Sequence, residues 1–299
     1  MKQTPITTVI GSYPVEVNTK QVMTHYFQQQ ETSWKPYITQ AVTAMVEAGI
    51  HMISDGQTRD SFTTIFLRHI NGIRIRDRPE VIDHIAFNHP IVLDDYTFVK
   101  HLVPKKTQLI GTLAGPFTLM KTCIDHVYND EKDLAFAFAA VMHEEARHLS
   151  SVVDMISVDE PFFSMEMPDY AKELFSTVVK GIDKPLRLHV CGDVSQVIPT
   201  LVDMPVDVLS HEFKATPKLF KGFSEHPSKK NICLGSVRSD NQRIEAVDEI
   251  CKHIRKAQDV FGDHIVQLSP DCGQRMLSPT VAFQKLQNLV QAWRQMYGG

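Results

Sequence analysis

Residues 185–193 read PLRLHVCGD, and this short stretch combines the features that decide the fold. A strand-forming run ends in His189 and Cys191, and Gly192 then interrupts it. The run is too apolar for a strand that has one face in water. Such runs are typical of parallel strands that helices cover on both faces of the sheet. The sequence therefore predicts a buried parallel strand that ends in two side chains able to bind a metal.

Similar apolar runs recur along the whole chain. Segments with the apolar spacing of helices lie between most of them, for example Asp133–Val152 and Arg243–Phe261. Eight strand–helix units in 299 residues predict an α/β fold, the (β/α)8 TIM barrel. An open doubly wound sheet has the same alternation and remains the alternative, although no Gly-x-Gly-x-x-Gly follows the first strand. The eight runs are Thr7–Gly11, His51–Asp55, Gln108–Ala114, Met155–Asp159, Pro185–Cys191, Asp207–Phe213, Asn231–Val237 and Ile265–Pro270.

The length by itself allows one large domain or two small ones, and the eight strand–helix units predict a single barrel over residues 1–299. The segment from about 60 to 107 is longer than one helix needs, and we expect an excursion or a hairpin near one end of the barrel. It carries Arg74, Arg76 and Arg78. We interpret these arginines as a solvated stretch rather than as a contact with a partner protein.

Composition excludes several classes of protein. The 31 basic and 35 acidic residues give a scattered net charge of −4, which argues against nucleic acid as a partner. The longest apolar run, Leu134–Met142, has nine residues, against the roughly 20 that cross a bilayer. The N-terminus lacks the apolar region of a secretory signal. Five cysteines make a poor disulfide framework, so we expect a cytoplasmic protein whose clustered thiols bind metal.

The ends of the predicted strands carry the candidate chemistry, because barrel active sites collect at the C-terminal ends of strands. His189 and Cys191 are two apart on an extended segment, so their side chains point to one face. Cys272 and Glu212 follow two other strands. Two sulfurs, one nitrogen and one oxygen suit tetrahedral zinc, and thiolates select against magnesium and calcium. A lone His-x-Cys is more often a pair of core residues, but the combination favours a metal site.

Two other strand ends are ambiguous by themselves. Ile10, Gly11 and Ser12 close the first run, where glycine lets the backbone approach a ligand and serine offers a hydroxyl and an amide. The same residues would also suit an ordinary strand-to-loop turn. The segment that ends in Gln57, after the second run, is open to the same two interpretations.

Taken together and in this order, these motifs resemble the C-terminal catalytic barrel of the cobalamin-independent methionine synthase family. The resemblance implies a catalytic zinc that binds the sulfur of homocysteine. It places Asp159 at the substrate amino group, and Ile10, Gly11 and Ser12 at its carboxylate. It also places His189, Cys191, Glu212 and Cys272 on the family's zinc ligands. The matching motifs are Ile10-Gly11-Ser12, Asp55-Gly56-Gln57, Gly115-Pro116, Asp159-Glu160-Pro161, His189-Val190-Cys191, Glu212 and Pro270-Asp271-Cys272-Gly273.

The departures from the family pattern concern the donor and the substrate amine. Full-length members add an N-terminal barrel that helps bind methyltetrahydrofolate, whereas this chain starts almost at the catalytic barrel and resembles short "core" archaeal members. For these we expect a methylated corrinoid as donor, methylcobalamin or a corrinoid protein. Gln57 stands where long members have a Glu that contacts the substrate ammonium. Asp240 falls near a His credited there with proton transfer.

Three functions are compatible with these observations. The first is zinc-dependent methyl transfer from a corrinoid to L-homocysteine, which gives methionine. The second is methyl transfer to another thiol such as coenzyme M, which has a sulfonate and no amine, so that Gln57 would suit it. The third is a non-catalytic zinc- or corrinoid-binding module with a closed four-ligand site.

Overall fold

The computed structural model describes residues 4–28 and 32–298, without the side chains of residues 21 and 26. Eight parallel strands are ordered β1-β11-β10-β9-β8-β7-β5-β2, and a bridge between Thr8 and Met52 joins the two ends of this sheet into a barrel. The strands are β1 (Ile6–Thr7), β2 (Met52–Ile53), β3 (Asn71–Ile75), β4 (Pro79–Ala86), β5 (Gln108–Ala114), β6 (Ile124–Asp125), β7 (Met155–Asp159), β8 (Leu186–His189), β9 (Val208–His211), β10 (Asn231–Val237) and β11 (Ile265–Pro270).

Helices alternate with these strands and cover the outside of the barrel. Strand β5 approaches its covering helix closely, since a Cβ built at Gly111 would lie 2.5 Å from Leu149. The helices are α1 (Thr19–Phe27), α2 (Lys35–Glu47), α3 (Thr64–Leu67), α4 (Leu93–Leu102), α5 (Pro116–Thr122), α6 (Glu131–Leu149), α7 (Ala171–Val179), α8 (Ile198–Leu201), α9 (Leu219–Glu225), α10 (Val247–Phe261) and α11 (Pro279–Tyr297). None of the helices in the described ranges is long and apolar enough to cross a bilayer.

The predicted (β/α)8 barrel is confirmed, and each predicted run overlaps one barrel strand, although β1 begins one residue before its run. Strands β5, β7, β10 and β11 coincide with their runs residue for residue. Strands β1 and β2 are shorter than predicted because side-chain hydrogen bonds replace the ladder beyond them. Ser54 Oγ donates to the carbonyl of Gly11 at 2.6 Å and accepts from the N–H of Gly56 at 3.0 Å.

A small second sheet occupies part of the segment between β2 and β5. Strands β3 and β4 form an antiparallel hairpin, and β6 pairs in parallel with β4. The arginine-rich residues lie at the tip of this hairpin, where Arg74 pairs with Glu80 on the opposite strand. This ion pair connects the two strands next to their turn.

A buried ion pair connects the last helix to the loop after β10. Lys285 of α11 lies 2.8 Å from Glu245, and both side chains are completely buried. The other carboxylate oxygen of Glu245 accepts from the N–H of Arg238 at 3.0 Å, and Lys285 also donates to the carbonyl of Arg243. The pair therefore fixes the loop that leads from β10 towards α10.

We predict that Lys285→Met destabilises the protein by about 3–5 kcal/mol, because it leaves a buried carboxylate without its partner. Urea unfolding would measure this change. The double variant Lys285→Met/Glu245→Gln should lose less unfolding free energy than Lys285→Met, since no unpaired buried charge remains. Lys172→Met is the control, because its pair with Asp203 is largely exposed and should contribute under about 1 kcal/mol. Equal losses for Lys285→Met and Lys172→Met would contradict the prediction.

Candidate active site

A cavity of about 110 Å³ opens at the C-terminal ends of the barrel strands. A larger hollow of about 660 Å³ lies at the opposite end, around residues such as Gln108 and Val208. We assign the site to the smaller cavity because barrel enzymes use the C-terminal face. Its lining residues are Ile10, Gly11, Ser12, Gln57, Phe62, Asp159, Pro161, His189, Cys191, Cys272 and Gly273.

An imidazole and two thiols meet in this cavity. One side-chain atom each of His189, Cys191 and Cys272 lies within 4.8 Å of the other two. His189 Nδ1 is 3.0 Å from Ser210 Oγ, whereas its buried Nε2 has no hydrogen-bond partner among the described residues. Burial, with Arg187 nearby, holds the pKa of His189 well below its usual range, so the ring is neutral. A neutral ring, oriented through one nitrogen and free at the other, is typical of a metal ligand.

The electrostatics of the thiols also favour a cation. The hydrogen bond that the Cys272 thiol donates to Cys191, burial and the nearby Glu212 all raise the pKa of Cys272. Without a positive charge, these groups therefore disfavour ionisation, and a metal ion would reverse that preference. The donor set fits zinc, which takes thiolate and imidazole ligands.

Glu212 lies beside this cluster but outside the set of atoms within 4.8 Å of one another. It is the first residue after β9, is half-buried, and accepts a hydrogen bond from the N–H of Gly192. Burial raises the pKa of Glu212, and that hydrogen bond opposes the rise. Its role as a fourth ligand remains a prediction.

Two glycines make room for the polar side chains of the cavity. A Cβ at Gly11 would lie 2.6 Å from Oε1 of Gln57, and a Cβ at Gly273 would lie 2.3 Å from Oγ of Ser12. Gln57 itself has a left-handed backbone (φ 44°), and its Nε2 donates to Thr112 Oγ1 at 3.0 Å. These contacts hold the first and second strand ends against each other and against the last.

Asp159 supplies the one carboxylate among the described residues that line the cavity, because Gln57 is neutral. Ser157 Oγ donates to Asp159 at 2.8 Å. Burial raises the pKa of Asp159 to about 6, while the positive charge of Arg187 and the bond from Ser157 act in the opposite direction. Near neutral pH the cavity therefore presents a single anionic group that suits an ammonium.

Two motifs of the sequence turn out to be one structural unit. Glu160 accepts hydrogen bonds from the N–H groups of Phe117 (3.0 Å) and Thr118 (2.8 Å), at the N-terminus of α5. A Cβ at Gly115 would lie 2.0 Å from the Glu160 carboxyl carbon. The Gly115-Pro116 motif thus exists to receive Glu160, and it fixes the strand end that carries Asp159.

Asp271 performs the same task on the other side of the cavity. Its carboxylate accepts from the N–H groups of Lys214 (3.0 Å) and Ala215 (2.7 Å). Burial raises the pKa of Asp271 to about 8. Asp271 thereby fixes the loop after β9, which begins with Glu212, next to the loop that carries Cys272.

The structure does not bring Asp240 into the cavity. This side chain is exposed and accepts from Arg238 Nε at 2.8 Å, and that contact lowers the pKa of Asp240. It does not belong to the lining residues, although its charge acts on Glu212. Its predicted part in proton transfer remains a prediction.

Sequence reasoning missed the residues that support the site. Phe62 lines the cavity from the segment between β2 and β5, and no local pattern singles it out. Ser210 and Thr112 orient His189 and Gln57. Arg187 could have been found, because it precedes His189 by two residues on one strand and therefore shares its face.

Comparison with known proteins matches residues 5–295 to the cobalamin-independent synthase catalytic domain. A methionine synthase of Methanocaldococcus jannaschii is 32% identical over 96% of this chain and 98% of its own length. One from Methanothermobacter thermautotrophicus is 32% identical over 96% of this chain and 99% of its own. Among solved structures, a B12-independent methionine synthase from Shewanella sp. W3-18-1 superimposes with a TM-score of 0.81 at 23% identity, over 99% of this chain and 98% of that one.

These matches correct one expectation. The predicted corrinoid donor, methylcobalamin or a corrinoid protein, is wrong, because the matching family is a cobalamin-independent one. That expectation came mainly from the comparison of this chain with the long family members.

The family assignment, in contrast, is confirmed. The match to the family runs through all eight barrel strands and through every strand end that lines the cavity. The archaeal relatives cover nearly the whole of this chain, and the fold agrees over its full length. This chain belongs to the cobalamin-independent methionine synthase family, as its catalytic domain.

Proposed function

We propose that this chain transfers a methyl group from a tetrahydrofolate-type N-methyl donor to the thiol of L-homocysteine, giving methionine. We further propose that His189, Cys191, Cys272 and Glu212 hold a catalytic zinc ion. The observation that carries the proposal is Nε2 of His189, which has no hydrogen-bond partner among the described residues and lies beside two thiols in the C-terminal cavity. Family membership supplies the reaction, and the chemistry of these donor atoms supports the metal.

The remaining lining residues suit the other end of homocysteine. Asp159 can accept a hydrogen bond from the substrate ammonium, and such charge-assisted bonds are strong. The backbone of Ile10 and Gly11, with the hydroxyl of Ser12, offers the uncharged contacts that a carboxylate takes. The thiol would then lie towards His189, Cys191 and Cys272.

When bound, zinc would act as a Lewis acid that lowers the pKa of a coordinated thiol, so that the thiol loses its proton at neutral pH. The substrate sulfur attacks the methyl carbon, a C–S bond forms, and the bond from carbon to the donor nitrogen breaks. That nitrogen then takes a proton. The protein contributes orientation, because Asp159 and Ser12 hold the amino acid in place.

A second thiol substrate is favoured by one observation. Gln57 is neutral and needs no cationic partner from the substrate. A thiol with a sulfonate and no amine, such as coenzyme M, could therefore lie beside it. Asp159 opposes this alternative, since its buried charge would face a ligand without a cation.

We predict that His189→Ala and Cys272→Ser abolish stoichiometric zinc binding, because each removes a ligand that the other groups cannot replace. Metal analysis after dialysis would measure the zinc content, and methionine formation should fall with it. Cys123→Ser is the matched control, since this thiol lies between α5 and β6 and does not line the cavity. Retention of one zinc per chain in Cys272→Ser would refute the ligand assignment.

We predict that Asp159→Asn raises the KM for homocysteine by about 10- to 100-fold, as expected when a hydrogen bond to a charged group is lost. The assay uses zinc-loaded protein with methyltetrahydrofolate as donor. Coenzyme M should be a poor acceptor for the wild-type chain. Preference of the wild-type chain for coenzyme M, together with an unchanged KM in Asp159→Asn, would establish the alternative.

A further inference from the structure

Arg187 lies inside the barrel, one layer of side chains below the cavity. In the register between β7 and β8, Arg187 is opposite Ser157, and His189 is opposite Asp159. Residues two apart on a strand share a face, so Arg187 points into the barrel beneath His189. Its side chain is completely buried.

All of the guanidinium's hydrogen-bonding capacity is used. A guanidinium has five N–H donors, and Arg187 has five acceptors from five other residues. The shortest contacts go to backbone carbonyls at the end of β1 and to one hydroxyl of β7. The acceptors are Val9 O (3.1 Å) and Ile10 O (3.1 Å) for Nη2, Ser157 Oγ (3.1 Å) for Nε, and Gln267 Oε1 (3.5 Å) and Cys233 Sγ (3.8 Å) for Nη1.

Stability does not explain a charge at this position. Barrel interiors are usually packed with branched apolar side chains. Removing a guanidinium from water costs several kcal/mol, and well-packed apolar residues often replace buried charges without loss of stability. The position of Arg187 therefore points to a function in the site above it.

The contacts of Arg187 lead to both ends of the proposed amino-acid pocket. On one side it holds the carbonyls of Val9 and Ile10, which directly precede Gly11 and Ser12. On the other side it donates to Ser157, whose hydroxyl in turn donates to Asp159 at 2.8 Å. The rigid, planar guanidinium thus connects the segment predicted to bind the substrate carboxylate with the residue predicted to bind its ammonium, Asp159.

We propose that Arg187 is a positioning residue that sets the distance and orientation between Asp159 and the Ile10–Ser12 segment, and so selects thiols that carry an α-amino acid group. This inference rests on the proposed function and deepens it. In the proposed role, Arg187 contacts neither the substrate nor the reacting atoms. It acts through Ser157 and through the backbone of the first strand.

The decisive variant is Ser157→Ala, which removes the link to Asp159 and changes only one small hydroxyl. Calorimetric titration of the zinc-loaded protein compares homocysteine with 4-mercaptobutanoate, the same molecule without the amine. We expect Ser157→Ala to weaken homocysteine binding about tenfold and to leave 4-mercaptobutanoate binding unchanged, with one zinc per chain retained. Ser236→Ala is the matched control, because among the described residues this buried hydroxyl donates to one acceptor, the carbonyl of Leu234 in the same strand at 2.9 Å.

Two variants of Arg187 itself test the other link. Arg187→Met should weaken the binding of both thiols, because the carbonyls of Val9 and Ile10 lose their donor. Arg187→Lys keeps the charge with three donors instead of five, so it should restore part of the homocysteine affinity. If neither variant folds, Ser157→Ala alone decides.

An equal loss for both thiols in Ser157→Ala, or no loss for either, would overturn the positioning role. The proposed function is tested separately by the wild-type protein. A zinc-loaded wild-type chain that binds no homocysteine would refute the proposed substrate and this inference with it. Wild-type binding with unchanged selectivity in Ser157→Ala would refute the positioning role alone.

Discussion

Close approach between polar side chains and glycines at the ends of the strands is the constraint on which this site depends. At four places a Cβ atom on a glycine would come within 2.6 Å of the polar side chain that packs there, so the two positions must be occupied as a pair. Two pairs shape the wall of the cavity, and two hold the loops that carry its carboxylates. The pairs are Gly11 with Gln57, Gly273 with Ser12, Gly115 with Glu160, and Gly235 with Asp271.

Buried ionisable groups surround this framework at two distances from the cavity. Next to the cavity, burial raises the pKa of Asp159, and the thiols and Glu212 together disfavour a second negative charge. Farther from the cavity, the carboxyl oxygens of Glu160 and Asp271 accept hydrogen bonds from backbone N–H groups. The guanidinium of Arg187 donates to backbone carbonyls and to the hydroxyl of Ser157. These more distant groups hold the backbone in place, which leaves the groups next to the cavity free to bind cations. A metal ion and a substrate ammonium are the two cations that such a cavity would accept.

The proposed zinc ligands and the proposed amino-acid pocket share their supports. Strand β8 carries both Arg187 and His189, and its neighbour β7 carries Ser157 and Asp159 in the same two layers. Any shift of these strands would therefore move a predicted metal ligand, His189, and a predicted substrate contact, Asp159, together. This coupling suits a displacement in which the thiol must be held at one end and aligned with the methyl carbon from the other.

The sequence by itself determined the barrel and most of the cavity lining. Strand runs are encoded locally through apolar, β-branched segments, and parallel strands bring their C-terminal ends to one rim. For that reason, His189, Cys191, Cys272 and Asp159 could be placed together without coordinates. The tertiary structure alone decided which supports they have and which loop residues reach them. Arg187 bonds to carbonyls 177 and 178 residues away, Phe62 reaches the cavity from an irregular segment, and Asp240 is held outside it by Arg238. Such contacts depend on how distant loops pack and on which ion pairs form. Neither can be predicted from the periodicity of the sequence.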